Sequence, residues 1–269
     1  MVPRIAVIGG TGVYDPGILD NVTEKTVDTR FGLARVAVGS YRGQEVAFLA
    51  RHGAGHSLPP HLINYRANIE ALRALGVQRV VATAAVGSLN PLMRPGDFVL
   101  VDQFLDFTKQ RSATFYEGGE EGVVHCDMTH PYCPHLREVL YRIGTDIGLK
   151  LHREGIYVCT EGPRFETAAE IRMFRMLGGD VVGMTSVPEC VLAREAGMCY
   201  ATVAMVTNMA AGIGADRLTH SEVLEVMAAN VSKLSRLLME SLEFIDVTAE
   251  CECGGIHQEI ERLRERKKG

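Results

Sequence analysis

Hydrophobic positions along the chain fall into two kinds of run. Short, continuous apolar or β-branched stretches occupy 5–8, 36–38, 46–50, 80–85, 98–101, 156–159, 181–184 and 201–206. Runs of this length without polar alternation predict strands buried on both faces. Between them lie segments whose apolar residues recur at helical spacing, at 62–75, 136–149, 168–177, 191–196 and 223–244. In the second of these the stripe is Leu136, Val139, Leu140, Ile143 and Ile147, the pattern of a helix that buries one face. Strands alternating with helices predict an α/β layered fold around a largely parallel sheet.

Two helix starts spell a capping box, Thr167-Ala168-Ala169-Glu170 and Thr219-His220-Ser221-Glu222. In each, the Thr oxygen and the Glu carboxylate would satisfy backbone N–H groups that have no partner inside the helix. No Pro/Gly/Ser-rich linker, charge block or internal repeat divides the chain before residue 250. We therefore expect one domain over residues 1–250, followed by a tail, 251–269, that carries Cys251-Glu252-Cys253 and a charged helix with a thin stripe of Ile256, Ile260 and Leu263.

Composition narrows the possibilities. With 46% hydrophobic and 23% charged residues in 269, the chain can bury a substantial core and is not of the disordered class. Its formal charge of -5 lacks the basic footprint of a dedicated nucleic-acid binder, which points to a small substrate. No apolar window reaches the roughly 18 residues a membrane helix needs. The N-terminal Met1-Val2-Pro3-Arg4 precedes an apolar run too short for a signal-peptide core, so a cytoplasmic location is the default. Seven cysteines, odd in number and scattered, do not read as a disulfide scaffold; most are expected to be buried small apolar residues. Cys251 and Cys253 stand apart, in a polar tail where burial is not an obvious explanation.

Candidate chemistry collects at strand ends. The first strand runs into Gly9-Gly10-Thr11-Gly12, whose backbone N–H groups and Thr hydroxyl suit a phosphate. A tight turn would explain the glycines as well. Asp15 stands where a dinucleotide fingerprint needs its third Gly, and no P-loop lysine follows. Ala50-Arg51-His52-Gly53 ends another strand; Arg51 is either a planar grip for an oxyanion or a salt bridge at a strand end. With His52 it would form a local cationic site. His52, His56 and His61 do not share a helix face, because Gly53, Gly55, Pro59 and Pro60 break any helix there. The ligand types His125, Cys126, His130, Cys133 and His135 fit no two-plus-two zinc spacing, so no metal site is expected.

Further along, Thr83-Ala84-Ala85-Val86-Gly87-Ser88 ends a strand in small residues that would let a ligand approach the backbone. Phe165 and Glu166 precede the first capping box, placed to stack on a flat ring and accept a hydrogen from it. In open α/β sheets ligands bind at the carboxyl ends of strands, so Thr11, Arg51, Ala85, Thr185 and Asn208 are expected to converge.

In order, Ile8-Gly9-Gly10-Thr11-Gly12, Ala50-Arg51-His52-Gly53, Asn64-Tyr65-Arg66-Ala67-Asn68, Pro95-Gly96-Asp97, Glu161-Gly162-Pro163-Arg164-Phe165-Glu166-Thr167, Met184-Thr185-Ser186-Val187-Pro188-Glu189 and Thr207-Asn208-Met209-Ala210-Ala211-Gly212 resemble the trimeric purine nucleoside and methylthioadenosine phosphorylases. The resemblance spans about residues 4–245. It implies a single α/β domain with a mixed central sheet and phosphorolysis of a purine nucleoside to free base and ribose-1-phosphate. It implies no redox cofactor and no catalytic metal, with phosphate as co-substrate, and a trimer or a dimer of trimers.

Carried over by motif, it assigns the phosphate to Thr11, Arg51, His52, the Ala84–Ala85 backbone and Thr185. Met184 would underlie the ribose, Phe165, Glu166 and Asn208 would face the purine with Met209 and Ala210 beside them, and His220 would bond the 5′-hydroxyl. Asn208 and His52 would be catalytic. A 6-oxopurine presents an N1–H donor and an O6 acceptor, which match a carboxylate at Glu166 and an amide at Asn208. Methylthioadenosine-type members carry Ser in place of Glu166 and Asp at positions 208 and 210, so the chain departs from them toward the inosine and guanosine type. Methylthioinosine or methylthioadenosine phosphorolysis is the alternative, and a non-catalytic purine-binding module is one of another class. The Cys251-Glu252-Cys253 motif resembles disulfide-forming CXC motifs of some heat-adapted members, with a free thiol pair as the other possibility.

Overall fold

The computed structural model describes residues 2–10, 13, 19–119, 122–214, 220–256 and 260. Among them, eleven strands join in one mixed sheet flanked by five α-helices. β1 (Ile5–Gly9) lies between β4 (Gln44–Ala50) and β5 (Arg79–Ser88), parallel to both. β11 (Cys199–Met209) runs parallel along β5, with β6 (Phe98–Leu100) antiparallel beyond it and β8 (Leu151–His152) parallel to β6. At its far end β5 also pairs antiparallel with β10 (Val181–Gly183), which continues in parallel to β9 (Ile156–Thr160) and then β7 (Gln103–Phe107). A hairpin of β2 (Asp20–Thr29) and β3 (Gly32–Tyr41) attaches antiparallel to β4.

The two faces of the sheet are covered by different helices. α1 (Tyr65–Ala74) and α4 (Ser186–Glu195) pack with Ala6, Ile8, Val80 and Ala82. α2 (Pro134–Asp146) and α5 (His220–Leu242) pack with Ile5, Val7 and Val81 on the other face. Neighbouring residues of β1 thus enter opposite layers, as a two-residue side-chain period requires. Full burial of an Ile or Leu contributes about 1.5–3 kcal/mol, and Ile5, Ile8 and Leu72 are all fully buried. The expected stripe of α2 is buried at Leu136, Val139, Leu140 and Ile143. α3 (Ala168–Met176) begins with the expected capping box: Thr167 Oγ1 accepts from the Glu170 N–H, and the Glu170 carboxylate accepts from the Thr167 N–H at 2.7 Å. The second expected box involves Thr219, which lies outside the described residues.

Three strands escape the hydrophobic pattern. β2 reads Asp-Asn-Val-Thr-Glu-Lys-Thr-Val-Asp-Thr and is largely exposed, so its pairing with β3 rather than core burial defines it. β7 is only half-buried and β8 has two residues. In the tail, Ile256 and Ile260 pack against Val124, while Leu263 lies outside the described residues. Cys253 is buried in the layer formed by α2 and α5, so the segment after α5 is more than a polar extension.

Candidate active site

The carboxyl ends of β4, β5 and β11, the end of β10 and the loop before α3 enclose a cavity of about 380 Å³. Arg51, His52, Ala84, Ala85 and Thr185 line one end of it. Phe165, Glu166, Met184, Asn208 and Ala210 line the rest, together with Val223 of α5. Met209 is not among the lining residues, Thr11 lies outside the described residues, and His220 opens α5 with its side chain outside them. Strand ends from distant parts of the sequence therefore meet as the α/β topology predicts.

Arg51 leaves β4 fully buried and meets Glu189 of α4 in a bidentate pair. Its Nε and Nη2 donate to the two carboxylate oxygens at 2.6 and 2.7 Å, and Nη1 donates to the Thr83 carbonyl at 2.8 Å. Tyr200 of β11 donates its hydroxyl to the same carboxylate at 2.7 Å. Burial disfavours the charged guanidinium, and the Glu189 carboxylate outweighs that penalty, holding Arg51 above the ordinary arginine value. Arg51 is thus a salt bridge at a strand end that also lines the cavity, and among the described residues three of its five N–H donors have partners.

His52 is tied through Nδ1, which donates to the Leu58 carbonyl at 2.8 Å, and its ring stacks on His56 at 4.1 Å. Because a carbonyl only accepts, the proton of the neutral ring stays on Nδ1 and Nε2 carries the lone pair. Burial first, and then the adjacent Arg51 charge, push His52 down from 6.5 to about 4. The expected local cationic site is thus corrected. Arg51 is already matched by a carboxylate and His52 is neutral at pH 7, so this end of the cavity offers oriented donors and acceptors rather than net positive charge.

The other end is built differently. Glu166 accepts from the Thr160 hydroxyl at 2.6 Å, and burial raises its pKa above the usual carboxylate value. Asn208 follows a β-bulge: the β11–β5 register shifts between Val206 and Asn208, an insertion that re-aims the side chains after it. Asn208 Nδ2 donates to the Met209 carbonyl at 3.0 Å, and Oδ1 accepts from Thr207 at 2.8 Å. The carbonyl fixes the amide with its nitrogen on that side, and among the described residues the second N–H has no partner. Gly87 faces this amide; a Cβ there would stand 3.1 Å from Asn208 Nδ2. Phe165 is 40% exposed, a large apolar ring open at the cavity.

Arg111 holds the loops behind this end. Its Nη1 donates to the Met184 and Val187 carbonyls at 2.6 and 2.8 Å, and its Nη2 to the Glu161 carbonyl at 2.7 Å and to that of Thr160 at 3.2 Å. One guanidinium therefore joins the segment that carries Glu166 to the segment that carries Met184 and Thr185. Gly183 completes the packing: a Cβ on it would lie 2.1 Å from the Tyr157 hydroxyl, so only glycine lets that ring pass behind Met184.

Sequence reasoning missed three of these residues. Glu189 carries a usable signal, a lone carboxylate in the otherwise small and apolar start of α4, but nothing there names Arg51 as its partner. Thr207 is legible only once the bulge is seen. Arg111 lies in a polar, aperiodic stretch and carries no signal.

With this geometry in place, relatives can be compared. The phosphorylase superfamily model matches residues 4–243. A Moorella thermoacetica protein named probable 6-oxopurine nucleoside phosphorylase is 60% identical over 250 residues, covering 93% of this chain and 96% of its own. The 6-oxopurine nucleoside phosphorylase of Pyrococcus furiosus is 55% identical over 258 residues, covering 94% and 97%. Among solved structures, methylthioadenosine phosphorylase from Schistosoma mansoni in complex with adenine superposes with a TM-score of 0.88 at 33% identity, covering 97% of both chains. The chain belongs to the phosphorylase superfamily, within its purine nucleoside and methylthioadenosine phosphorylase family.

Proposed function

We propose that the protein catalyses the reversible phosphorolysis of 6-oxopurine nucleosides, inosine and guanosine, to the free base and ribose-1-phosphate. The observation that carries this reading is the pairing of Glu166 with a fixed Asn208 amide in one cavity. A carboxylate accepts the N1–H of hypoxanthine or guanine, and the free Asn208 N–H meets O6 or N7. Adenine presents the opposite pattern, and a mismatched buried polar group can cost about 10⁴ in discrimination in favourable cases.

In this reading a phosphate oxygen attacks C1′ as the bond to N9 breaks. The sugar becomes oxocarbenium-like, as in glycoside hydrolysis, and the bonding electrons pass to the purine. Asn208 stabilises the charge arriving at N7 or O6, a contact that strengthens toward the transition state. Arg51, Thr185 and the Ala84–Ala85 backbone hold phosphate, and His52 Nε2 accepts the hydroxyl hydrogen of hydrogen phosphate. Met184 lies under the ribose and Phe165 stacks on the base. In the same reading Thr11 serves the phosphate, Ala210 stands beside the base and His220 serves the 5′-hydroxyl, while Met209, which does not line the cavity, is given no contact. No resident cofactor is needed; phosphate is the co-substrate.

The reading includes a homotrimer or a dimer of trimers, working in purine salvage in the cytoplasm. The exposed strand β2 and the groove between the β2–β4 hairpin region and α1, lined by Leu33, Arg35, Asn64 and Asn68, offer a surface for a second copy. Val223 favours the alternative, because an apolar wall would suit a 5′-methylthio group. Incubation with inosine, guanosine, adenosine, methylthioinosine and methylthioadenosine, with and without phosphate, separates these readings. Inosine and guanosine are expected to release base fastest, and only with phosphate. Faster cleavage of methylthioadenosine than of inosine overturns the base assignment, cleavage without phosphate makes the protein a hydrolase, and binding without turnover leaves a purine-binding module.

A further inference from the structure

Four of the seven cysteines come from three distant parts of the chain and converge. The sulfurs of Cys133, Cys199, Cys251 and Cys253 all lie within 4.8 Å of one another. Cys133 is the N-cap residue of α2, Cys199 is the first residue of β11, and Cys251 and Cys253 follow α5. Cys133, Cys199 and Cys253 are buried and Cys251 is half-buried, all against the α2 and α5 layer. None of the four lines the active-site cavity.

We propose that this cluster is a structural zinc site, a closed tetrathiolate that fastens the segment after α5 to the core. Four thiolates in a buried, closed arrangement are the donor set of structural zinc. With Zn–S bonds of about 2.3 Å, a tetrahedral site has sulfur–sulfur edges of about 3.8 Å, which the observed cluster accommodates. Cys199 and Cys251, now 2.8 Å apart, would separate by about 1 Å to reach that edge.

The surroundings suit the charge such a site carries. Zinc with four thiolates has a net charge of about -2. Arg79 Nη1 donates to Cys199 Sγ at 2.9 Å, and Nη2 of the same guanidinium donates to the Ala249 carbonyl at 2.6 Å. It thereby offsets negative charge and holds the approach of the Cys251–Cys253 segment, the role outer-shell partners play at metal centres. Cys133 adds the positive end of the 13-residue α2. Burial as small apolar residues would explain each cysteine singly but not why four sulfurs from three segments meet beside a guanidinium.

Binding displaces four thiol protons to solvent as four Zn–S bonds form, with no change of oxidation state. Disulfide pairing of the same sulfurs would instead need an oxidant to remove two electrons per pair, and the two outcomes differ in mass, metal content and thiol count.

The test uses the full chain purified anaerobically without chelator. We expect about one zinc per chain by mass spectrometry of the metal, and seven titratable thiols after denaturation with chelator. Replacing zinc by cobalt should give the visible absorption of a tetrahedral cobalt thiolate, and Cys251→Ser with Cys253→Ser should lower zinc content at least about tenfold. Absence of zinc with three remaining thiols and a mass lowered by four hydrogens would overturn the proposal in favour of two disulfides. Seven free thiols that take up neither zinc nor cobalt would overturn it as well, and both readings on the unaltered chain stand even if the double variant fails to fold.

Discussion

The two ends of the cavity solve different problems. Around Arg51 the polar groups are locked among themselves: guanidinium, carboxylate, carbonyl and phenol are joined within 2.6–2.8 Å, and His52 is neutral through burial. Around Glu166 and Asn208 the side chains rise from a loop and from a bulged strand end, each with part of its hydrogen-bonding capacity left for a ligand, and their support comes from Arg111 behind. In the proposed reading the first end couples recognition to folding, because the group given to phosphate is also a buried ion pair. The second keeps recognition and stability largely separate.

That contrast can be broken experimentally. The largest effect is expected from Glu189→Gln, which leaves the Arg51 charge buried and unmatched. It should cost about 3–5 kcal/mol of stability by denaturant unfolding and raise KM for phosphate more than KM for inosine. Replacing both partners by apolar residues, Arg51→Met with Glu189→Leu, should recover most of the stability while phosphate-dependent turnover stays lost. Unchanged stability in Glu189→Gln would remove the coupling claimed for this end.

Asn208→Ala sharpens the comparison from the other side. It should lower kcat for inosine by roughly 10²–10³, the loss expected for one preorganised donor, with unfolding free energy changed by less than about 1 kcal/mol. A kcat within about threefold of the parent would take Asn208 out of its proposed role.

The smallest effect is in the pH dependence of stability. His52 titrates near 4 in the folded protein and at about 6.5 when unfolded, so the unfolded chain binds the proton more readily. The contribution of neutral His52 is whole above pH 6.5 and is lost as pH falls toward 4. The loss amounts to at most about 3 kcal/mol. Urea unfolding at pH 7 and pH 4.5 should show a steeper decline for the parent than for His52→Gln, and equal declines would refute the neutral, buried state of this ring.

Much of the fold was legible because the central strands are buried on both faces and α2 shows its stripe plainly. β2 was not, since neither face of it is buried and pairing is a tertiary fact. At the site, the motifs marked Arg51, Glu166 and Asn208 because strand ends are punctuated by small and polar residues. Their partners were hidden: Glu189 is 138 positions from Arg51, and Arg111 acts through carbonyls that every residue possesses. The cysteines show the same limit. Linear spacing between Cys133, Cys199 and the Cys251-Glu252-Cys253 motif fits no ligand pattern, and only the folded topology brings the sulfurs together.

The bulge in β11 has one more consequence. Side chains of a strand alternate between faces by counting residues, so the single extra position between Val206 and Asn208 sets the parity of everything after it. Were Thr207 to pair regularly with Gly87, Asn208 would move on to Ser88 and its amide would turn toward the opposite layer of the sheet, with every residue of the strand still encoded. The direction of this amide is therefore written in the register of the strand as much as in the identity of the residue.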